Sequence, residues 1–312
     1  MSENRYDLMI LGAGPAGITA ALYGQRLGLT TVVMGDIPGG SVYMIHNLMN
    51  YPGFLGGVPG TQFGTVAFRQ AQDEGAFFTM TRTKRLECRN DLFTGTDVDG
   101  KEYSAPAAIV ATGRVPKRLA VSNPHIVGMH FCSLCDGPLY RGKNATLAVV
   151  GSDNAAAQHA LTLSRVASRV LLICRGSTLK MDAAHRKLVE AKEGIEVLMN
   201  TEVIDLKGEK FLQALVAKTR EGEHKDIPTD GVFLAIGWTP STEMLDMKVE
   251  TTDEGYIKTD ARLMSSFPGL FAAGDVRDTD IRQVLTACAD GARAATHVLS
   301  YLGDQHAQVK RA

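Results

Sequence analysis

Short apolar runs that lead into glycines recur along the chain, and each is typical of a buried parallel strand. The first, residues 6–11, is followed by a glycine-rich turn at 12–17, an Ala-rich helical stretch at 18–27 and a second apolar run at 30–34. This strand–turn–helix–strand order, completed within about 30 residues, predicts a βαβ unit.

The same order of elements returns in the middle of the chain. An apolar run at 145–150 leads into a turn that begins at Gly151, then a helical stretch at 157–166 and an apolar run at 168–173. Two copies of one βαβ plan predict an α/β protein with two domains of similar fold. The alternative is one long α/β domain in which the second set of glycines is coincidental.

The remaining apolar pattern adds three strands and one long helix. The strands are predicted at 108–113, 231–237 and 270–275, each ending in glycine or Gly-Asp. A mostly Ala-rich stretch at 285–302 is predicted to be a helix with Gly303 as its cap.

Composition and charge exclude several classes of protein. The chain has 312 residues, 45% of them hydrophobic, enough for about two domains of ~100–200 residues. The 33 Lys and Arg residues nearly balance the 34 Asp and Glu, so neither a nucleic acid nor a membrane surface is expected as a partner. No apolar run reaches the ~18 residues of a membrane span, and the N-terminus lacks a secretory signal pattern. Five cysteines, an odd number at irregular spacing, favour a reducing cytoplasm.

Gly12, Gly14 and Gly17 fit the G-x-G-x-x-G pattern in its required place, after a strand and before a helix. In that pattern the first glycine permits the tight turn, the second lets the backbone approach a pyrophosphate, and the third lets helix and strand pack closely. The acidic partner of the ribose is expected about 20 residues on. Met34 stands there, and Asp36 is the nearest candidate. The turn predicts a dinucleotide site, the alternative being a purely structural turn.

Cys132 and Cys135 form a Cys-x-x-Cys pair that is followed directly by Asp136. Two thiols at this spacing can close a small disulfide reversibly, and an adjacent carboxylate can move protons during the exchange. Half of a zinc site would look the same, but no second Cys-x-x-Cys or His pair completes it, so no metal is expected. Two unrelated buried thiols are the other alternative, which suits the cysteines that stand alone: Cys88, Cys174 and Cys288.

The N-terminal glycine turn, the mid-chain Cys-x-x-Cys-Asp-Gly and a late Ala-Ala-Gly-Asp-Val at 272–276 occur together in this chain. The set resembles the low-molecular-weight thioredoxin reductases over nearly the whole length. The resemblance implies two Rossmann-like, three-layer ββα dinucleotide-binding domains: an FAD-binding domain at 1–115 and 243–312, and a second domain inserted at 116–242. It also implies FAD as cofactor, thioredoxin as partner and a homodimer.

The same resemblance implies roles for the cysteine pair. In this family the second cysteine faces the flavin and the first attacks the substrate disulfide. Cys135 is therefore the expected flavin-proximal thiol, Cys132 the exchange thiol and Asp136 the general acid/base. The flavin carries the electron chemistry, and the protein positions the sulfur against it.

A set of FAD-binding residues in the first domain is also implied. The family's Gly-Gly-Gln-Leu loop falls on 39–42 with Ser41 in place of Gln, and its Asn-Trp-Pro-Gly falls on 50–53 with Tyr51 in place of Trp. Asp275 is expected to bind the ribityl chain, and residues 282–284 to lie against the isoalloxazine. With the ribose candidate included, the expected cofactor-binding residues are Gly12, Gly14, Pro15, Ala16, Gly17, Asp36, Gly40, Asn50, Ala111, Thr112, Gly113, Gly274, Asp275, Arg282, Gln283 and Val284.

The second glycine turn departs from the family pattern. Asp153 stands where the family's G-x-G-x-x-A, here Gly151 to Ala156, has its second glycine. Its carboxylate faces the expected pyrophosphate, and like charges a few Å apart repel by roughly 1–4 kcal/mol at effective dielectrics of ~80 to 20. After the next strand, the family's His-Arg-Arg segment for the NADPH phosphate keeps Arg175 but has Gly176 instead of its arginine neighbour. Two losses in one site predict a degenerate nicotinamide site.

An intact flavin and cysteine pattern beside a degenerate nicotinamide pattern resembles the ferredoxin-dependent flavin thioredoxin reductases. That branch implies reduced ferredoxin as the electron donor and thioredoxin as the acceptor. Ferredoxins are generally acidic, so a basic docking surface is expected. Arg114, Lys117 and Arg118 are its candidates, the alternative being an ordinary solvated cluster.

Four other functions stay open at the level of sequence. They are an NAD(P)H-dependent reductase with degenerate motifs, a deazaflavin-dependent reductase, an FAD-dependent dithiol oxidase and a flavin-binding redox sensor without turnover. The intact Cys132, Cys135 and Asp136 argue against the last, because a binding module needs none of them.

Overall fold

A computed structural model describes residues 4–45 and 47–309 of the chain, with side chains up to residue 303. The chain divides into two compact units. Unit 1 comprises Met1–Val115 and Thr239–Ala312, and unit 2 comprises Pro116–Trp238. The sequence analysis expected the inserted segment at 116–242. Unit 2 begins at that same residue, 116, and ends at Trp238, before the expected end at 242.

Helices and strands over the described residues are numbered along the chain. The helices are α1 (Pro15–Arg26), α2 (Gly60–Asp73), α3 (Ser133–Asp136), α4 (Asn154–Leu163), α5 (Ala183–Ala191) and α6 (Val284–Val309). The strands are β1 (Leu8–Leu11), β2 (Thr31–Met34), β3 (Phe77–Phe78), β4 (Thr83–Arg89), β5 (Leu92–Asp97), β6 (Glu102–Ala105), β7 (Ala107–Val110), β8 (Arg114–Pro116), β9 (Met129–His130), β10 (Thr146–Val150), β11 (Arg169–Ile173), β12 (Ile195–Leu198), β13 (Thr201–Lys207), β14 (Ala214–Thr219), β15 (His224–Pro228), β16 (Gly231–Leu234), β17 (Trp238–Pro240) and β18 (Leu270–Ala272).

Unit 1 contains a parallel five-stranded sheet in the order β18-β7-β1-β2-β3 and an antiparallel sheet β4-β5-β6. Alternate residues of β1 point to opposite faces, as strand geometry requires. Leu8 and Ile10 pack with the buried residues of α1 and α6. Met9 and Leu11 pack with the antiparallel sheet, including Phe93. The unit is therefore a three-layer ββα sandwich.

Unit 2 repeats this plan. Its parallel sheet has the order β12-β11-β10-β16-β9, and its antiparallel sheet is β13-β14-β15. Leu147 and Val149 of β10 pack with α4, whereas Ala148 and Val150 pack with the antiparallel sheet. The predicted α/β class with two Rossmann-like, three-layer units is confirmed.

The ends of two helices differ from the sequence expectation. Helix α4 begins at Asn154, three residues before the predicted start at 157, because the Asp153 side chain caps it. Helix α6 continues through Gly303 to Val309 instead of ending at Leu302. A Cβ on Gly303 would meet no described atom within 4 Å, so this glycine lies on an open helix surface. In the described part of the chain, no helix combines the length and apolarity needed to cross a membrane.

Candidate functional site

Two glycines of the first turn are required by backbone packing. Gly12 has φ +107°, and a Cβ there would lie 2.7 Å from the carbonyl carbon of Ala111 and 2.9 Å from Thr112 Cα. A Cβ on Gly17 would overlap the carbonyl oxygen of Gly12. These contacts close the βα turn against the end of β7, so any larger side chain would push the strand and helix apart.

Gly14, the middle glycine of the turn, is not required by backbone packing. Its φ of −79° suits any residue, and a Cβ on it would meet no described atom within 4 Å. Gly14 is also the N-cap of α1, where no side chain caps the helix. The first N–H groups of α1 therefore face open space together with the positive end of the helix dipole. This arrangement fits a pyrophosphate at the N-terminus of α1.

Other predicted cofactor residues of unit 1 gather near this turn or pair with one another. A Cβ on Gly40 would lie 3.0 Å from Gly14 Cα, so the 39–42 loop lies over the turn. Asn50 Nδ2 donates to Gln283 Oε1 at 3.0 Å, although 233 residues separate them. The others lie at element ends: Pro15 and Ala16 begin α1, Gly113 follows β7 and Val284 begins α6.

Asp275 lies in a short 3-10 turn, Gly274–Val276, directly after β18. Burial raises the pKa of its carboxyl, while Arg114 opposes the rise through an ion pair of 3.2 Å between Nε and Oδ2. Arg282 places its guanidinium 4.3 Å from the centre of the Tyr256 ring. Its buried Nε has no hydrogen-bond partner among the described residues. A buried donor without an acceptor is costly, so a ligand acceptor fits here.

The charged residues predicted to bind the ribose or an acidic electron donor differ in their ion pairs and in their exposure to solvent. Asp36, the ribose candidate, pairs at the surface with Arg82, and its predicted role stays a prediction. The side chain of Arg114, in unit 1, is largely buried and forms an ion pair with Asp275. Lys117 and Arg118 of unit 2 are exposed. Of the three predicted docking residues, only these two present their side chains to solvent.

The second glycine turn, in unit 2, packs its first glycine against a neighbouring strand as the first turn does, but it carries a negatively charged side chain at the start of its helix. A Cβ on Gly151 would lie 2.5 Å from the carbonyl oxygen of Ala235, much as one on Gly12 would meet Ala111. Asp153, however, is the N-cap of α4, and its Oδ1 accepts the N–H of Ala156 at 3.0 Å. A protein carboxylate therefore already caps this helix, in the position that an incoming phosphate would take.

A second carboxylate lies beside the same helix end and was missed by the sequence analysis. Asp182 Oδ2 accepts from Asn154 Nδ2, on the first residue of α4, at 2.9 Å. The N–H of His185 donates to Asp182 and lowers the pKa of that carboxyl, so Asp182 is ionised at neutral pH. Arg175, the one basic residue kept from the family pattern, is 81% exposed and lies 3.6 Å from Glu202.

Cys132 and Cys135 form a disulfide with Cα atoms 5.3 Å apart, at the start of α3. The sulfur of Cys132 accepts the N–H of Cys135 at 3.2 Å. Cys132 is half-buried, Cys135 is 8% exposed, and Leu134 between them is 53% exposed. Because β9 leads into this turn, the disulfide follows the carboxyl end of a parallel strand, as the Gly151 turn does. Within the described chain, no group of three or more ligating side chains is arranged to hold a metal ion.

Behind the disulfide, Asp136 is held by residues that the sequence did not reveal. His130 Nδ1 lies 3.1 Å from Asp136 Oδ2, and both side chains are 13% exposed. His130 Nε2 lies 2.8 Å from the hydroxyl of Tyr140. That hydroxyl also lies 3.3 Å from the carbonyl oxygen of Asp230. Burial, with Asp136 and Asp230 adding to it, raises the pKa of Tyr140 to about 12.

Comparison with known proteins gives a consistent picture. The model of the pyridine nucleotide-disulphide oxidoreductase family matches residues 6–291. A thioredoxin reductase of Bacillus subtilis is 33% identical over 317 residues, and the match covers 99% of each chain. A thioredoxin reductase of Treponema pallidum is 35% identical over 305 residues, and the match covers 96% of this chain and 98% of the Treponema chain. The crystal structure of thioredoxin reductase from Streptococcus pyogenes has a TM-score of 0.87 at 30% identity, covering 97% of this chain and 100% of that chain.

Proposed function

The chain belongs to the pyridine nucleotide-disulphide oxidoreductase family, as an FAD-dependent enzyme of the low-molecular-weight thioredoxin reductase type, and we propose that it reduces thioredoxin with electrons from reduced ferredoxin. We place this activity in the cytoplasm and assign it to a homodimer. The observation that carries the choice of donor is the Asp153 cap on α4, because it occupies the phosphate-binding end of that helix.

The residues of unit 1 are suited to hold FAD. The uncapped N-terminus of α1 offers N–H groups to the pyrophosphate, and Gly14 leaves room for it. The unpaired Nε of Arg282 offers a donor to the ring system, and Asp275 offers an acceptor to the ribityl hydroxyls. When bound, FAD accepts electrons one at a time and supplies two of them to a disulfide.

The corresponding end of unit 2 is unsuited to a nicotinamide dinucleotide. Asp153 caps α4, and Asp182, the N-cap of α5, accepts from the side chain of Asn154, the first residue of α4. Each carboxylate would repel a pyrophosphate placed at this helix end by roughly 1–4 kcal/mol at effective dielectrics of ~80 to 20. Together they correspond to a loss of roughly 30-fold or more in affinity, since ~1.4 kcal/mol is tenfold. Gly176 supplies no guanidinium to offset this, and Arg175 is exposed beside Glu202.

Cys132 and Cys135 carry out the exchange. The Cys132 thiolate attacks one sulfur of the thioredoxin disulfide, forms a mixed disulfide and expels the other sulfur as a thiolate that takes up a proton. Cys135 then gives up its proton and attacks Cys132 Sγ, which re-forms the intramolecular disulfide and releases the second thiolate for protonation. Asp136 is the acid/base group in both steps. The half-buried Cys132 and the buried Cys135 suit this order of attack.

Two molecules of reduced ferredoxin, each giving one electron, and two protons from solvent restore the dithiol. Lys117 and Arg118 are exposed basic side chains suited to an acidic donor. Arg114 is not part of this surface in the proposal, because its guanidinium is held by Asp275.

Anaerobic flavin reduction tests the choice of donor. The oxidised holoenzyme is mixed with NADPH, with NADH or with reduced ferredoxin, and the loss of the oxidised flavin absorbance is followed before thioredoxin is added. We expect ferredoxin alone to bleach the flavin and the electrons to pass to thioredoxin. Rapid bleaching by either nicotinamide would overturn the proposal and leave an ordinary NAD(P)H-dependent reductase.

Restoring the nucleotide site gives a gain-of-function test. The triple variant Asp153→Gly, Asp182→Asn, Gly176→Arg is expected to bind NADPH at least ~30-fold more tightly than the wild type, because two repulsive charges are removed and one guanidinium is added. Nucleotide binding is measured by calorimetry on the oxidised holoenzyme. Glu190→Gln, which removes an exposed carboxylate from α5, is the matched control and should change nothing. Equal NADPH affinity in wild type and triple variant would contradict the role given to the carboxylates.

A further inference from the structure

A chain of hydrogen-bonding groups within unit 2 extends from the buried Asp136 through the partly buried His130 and Tyr140. It runs from the Asp136 carboxyl to His130 Nδ1 (3.1 Å), from His130 Nε2 to the Tyr140 hydroxyl (2.8 Å), and from that hydroxyl to the Asp230 carbonyl oxygen (3.3 Å). Phe233 stacks on the imidazole with ring centres 4.7 Å apart, which covers one of its faces. We call these four groups, the carboxyl, imidazole, hydroxyl and carbonyl, the proton network.

The network has two complete hydrogen-bonding arrangements that differ by one proton. In the first, Nδ1–H donates to the Asp136 carboxylate and the Tyr140 O–H donates to Nε2. In the second, which holds one more proton in total, both ring nitrogens carry a proton: Nδ1–H still donates to the Asp136 carboxylate, Nε2–H donates to the Tyr140 oxygen, and the Tyr140 O–H turns to the Asp230 carbonyl. The Asp136–His130 and His130–Tyr140 contacts stay hydrogen-bonded in both arrangements, and Tyr140 donates to the Asp230 carbonyl only in the second. The second acceptor of Tyr140, at 3.3 Å, is what makes this possible.

Tyr140 remains a neutral hydroxyl throughout the working range. Its pKa is raised to about 12 by burial and by the Asp136 and Asp230 carboxylates that act on it. It therefore rotates its proton between two acceptors and does not release it. The Asp230 side chain itself is occupied by the N–H of Thr146 at 2.8 Å, so the network ends at the main-chain carbonyl.

We propose that His130 is a positioning residue for Asp136 that holds, within the proton network, the proton exchanged by the cysteine pair. This role rests on the proposed function, in which each half of the exchange releases one proton from a cysteine thiol and delivers one to a leaving thiolate. The proton given up by Cys132 is kept on Asp136 and His130 while the mixed disulfide forms, and it is returned to the expelled thiolate. The proton of Cys135 follows the same route in the second half, so the network starts and ends each turnover with the same number of protons.

The leaving group of the disulfide tests this role. Holoenzyme reduced to the dithiol state under anaerobic conditions is mixed with one of two small disulfides. Hydroxyethyl disulfide releases an alkyl thiolate that needs a proton, whereas dithiobis(nitrobenzoate) releases an aromatic thiolate of low pKa that does not. His130→Asn keeps an N–H near the position of Nδ1 but cannot take up a proton. We expect it to slow the alkyl exchange about a hundredfold, in the range usual for lost acid–base catalysis. The aromatic exchange should change by less than about threefold.

Two further variants locate the effect. Tyr140→Phe removes the partner of Nε2 and is expected to slow the alkyl exchange about tenfold, since the second arrangement then lacks an acceptor. In the double variant His130→Asn, Asp136→Asn, the alkyl exchange should be no slower than in Asp136→Asn alone, because residues that act as a unit are not additive. His159→Asn is the matched control: His159 lies on α4 with a buried Nδ1 that has no hydrogen-bond partner among the described residues. It should leave the ratio of the two rates unchanged.

Equal slowing of both disulfides by His130→Asn would assign His130 a purely structural role and overturn the proposal. So would an additive loss in the double variant. The proposed function is tested separately, with thioredoxin as the disulfide. If the wild type reduces both small disulfides and not thioredoxin, the choice of thioredoxin as partner is wrong, while the leaving-group ratio still decides the role of His130.

Discussion

At the scale of single residues, the two units differ at one position of a motif that they share. Gly14 and Asp153 both precede a helix that follows a glycine turn. Gly14 leaves the end of its helix open, and Asp153 closes the end of its helix with a carboxylate. A helix N-terminus attracts whatever negative group can reach it. The side chain at this position therefore decides whether a ligand or the protein itself satisfies the helix.

Alanine substitutions distinguish the glycine that a ligand requires from the one that packing requires. Gly14→Ala should change the unfolding free energy of the apoprotein by less than ~1 kcal/mol. It should weaken FAD binding at least about tenfold, or ~1.4 kcal/mol, because a methyl group enters the phosphate space. Gly12→Ala should lose about 3 kcal/mol or more, since φ is +107° and its Cβ would meet the Ala111 backbone. Urea unfolding of apoprotein and FAD titration measure both effects, and equal stability losses would contradict the distinction.

At the scale of elements, the close packing of α1 against α6 holds the start of α1 in place. Gly291 of α6 is buried, and a Cβ on it would overlap the carbonyl oxygen of Ala16 and lie 3.0 Å from the backbone nitrogen of Ala20. The two helices can approach this closely only because the side chain is absent. Since Ala16 belongs to the first turn of α1, the packing of α6 fixes the helix end at which we propose that the FAD phosphate binds.

A pair of glycine substitutions in α6 tests this contact. Gly291→Ala should lower the unfolding free energy by about 1–3 kcal/mol, because it forces two packed helices apart. It should also reduce FAD content, since the start of α1 shifts. Gly303→Ala lies in the same helix, on an open surface, and should raise stability by about 0.5–1 kcal/mol through helix propensity alone. Thermal unfolding and flavin absorbance of the purified variants check the pair. A neutral Gly291→Ala would refute the close contact.

At the scale of the whole molecule, Asp275, which we propose binds the cofactor, carries a cost in stability. Asp275 is partly buried, and desolvation raises the pKa of its carboxyl despite Arg114. A carboxyl whose pKa is higher in the folded state than in the unfolded state binds protons on folding. Its ionised form therefore lowers stability at neutral pH. That penalty disappears as the pH falls through the folded pKa and is gone below the unfolded value of about 4.

Asp275→Asn should accordingly make the apoprotein more stable than the wild type at neutral pH. The difference should shrink as the pH is lowered toward about 4, where the wild-type carboxyl is also neutral. Asp205→Asn supplies the opposite case, because the N–H of Ser122 lowers the pKa of Asp205. That variant should be less stable at neutral pH, and its deficit should also shrink in acid. Urea unfolding of FAD-free protein across this pH range measures both. The same sign for the two variants at neutral pH would contradict the assignment.

Local patterns determined much of this protein in the sequence itself. The two βαβ units, the first glycine turn and the disulfide-forming pair follow from strand periodicity, turn chemistry and motif spacing, which act over a few residues. The three-layer arrangement was implied by the resemblance to the low-molecular-weight thioredoxin reductases. Some details were available there and not used: Asp153 is an ordinary N-cap residue, which explains why α4 starts at Asn154. The strands of the antiparallel sheets were not located from the sequence, since they alternate apolar and polar residues only weakly.

Tertiary structure decided which distant residues meet. Asn50 reaches Gln283, Asp182 reaches the start of α4, and Tyr140 joins His130 to the Asp230 carbonyl only after the strands have taken their order in the sheet. These contacts depend on register and packing between segments far apart in the chain, which no local pattern encodes. The sequence therefore determined the chemistry of the turn and of the thiols. Packing decided that Asp182 joins Asp153 beside the start of α4, and which groups stand behind Asp136.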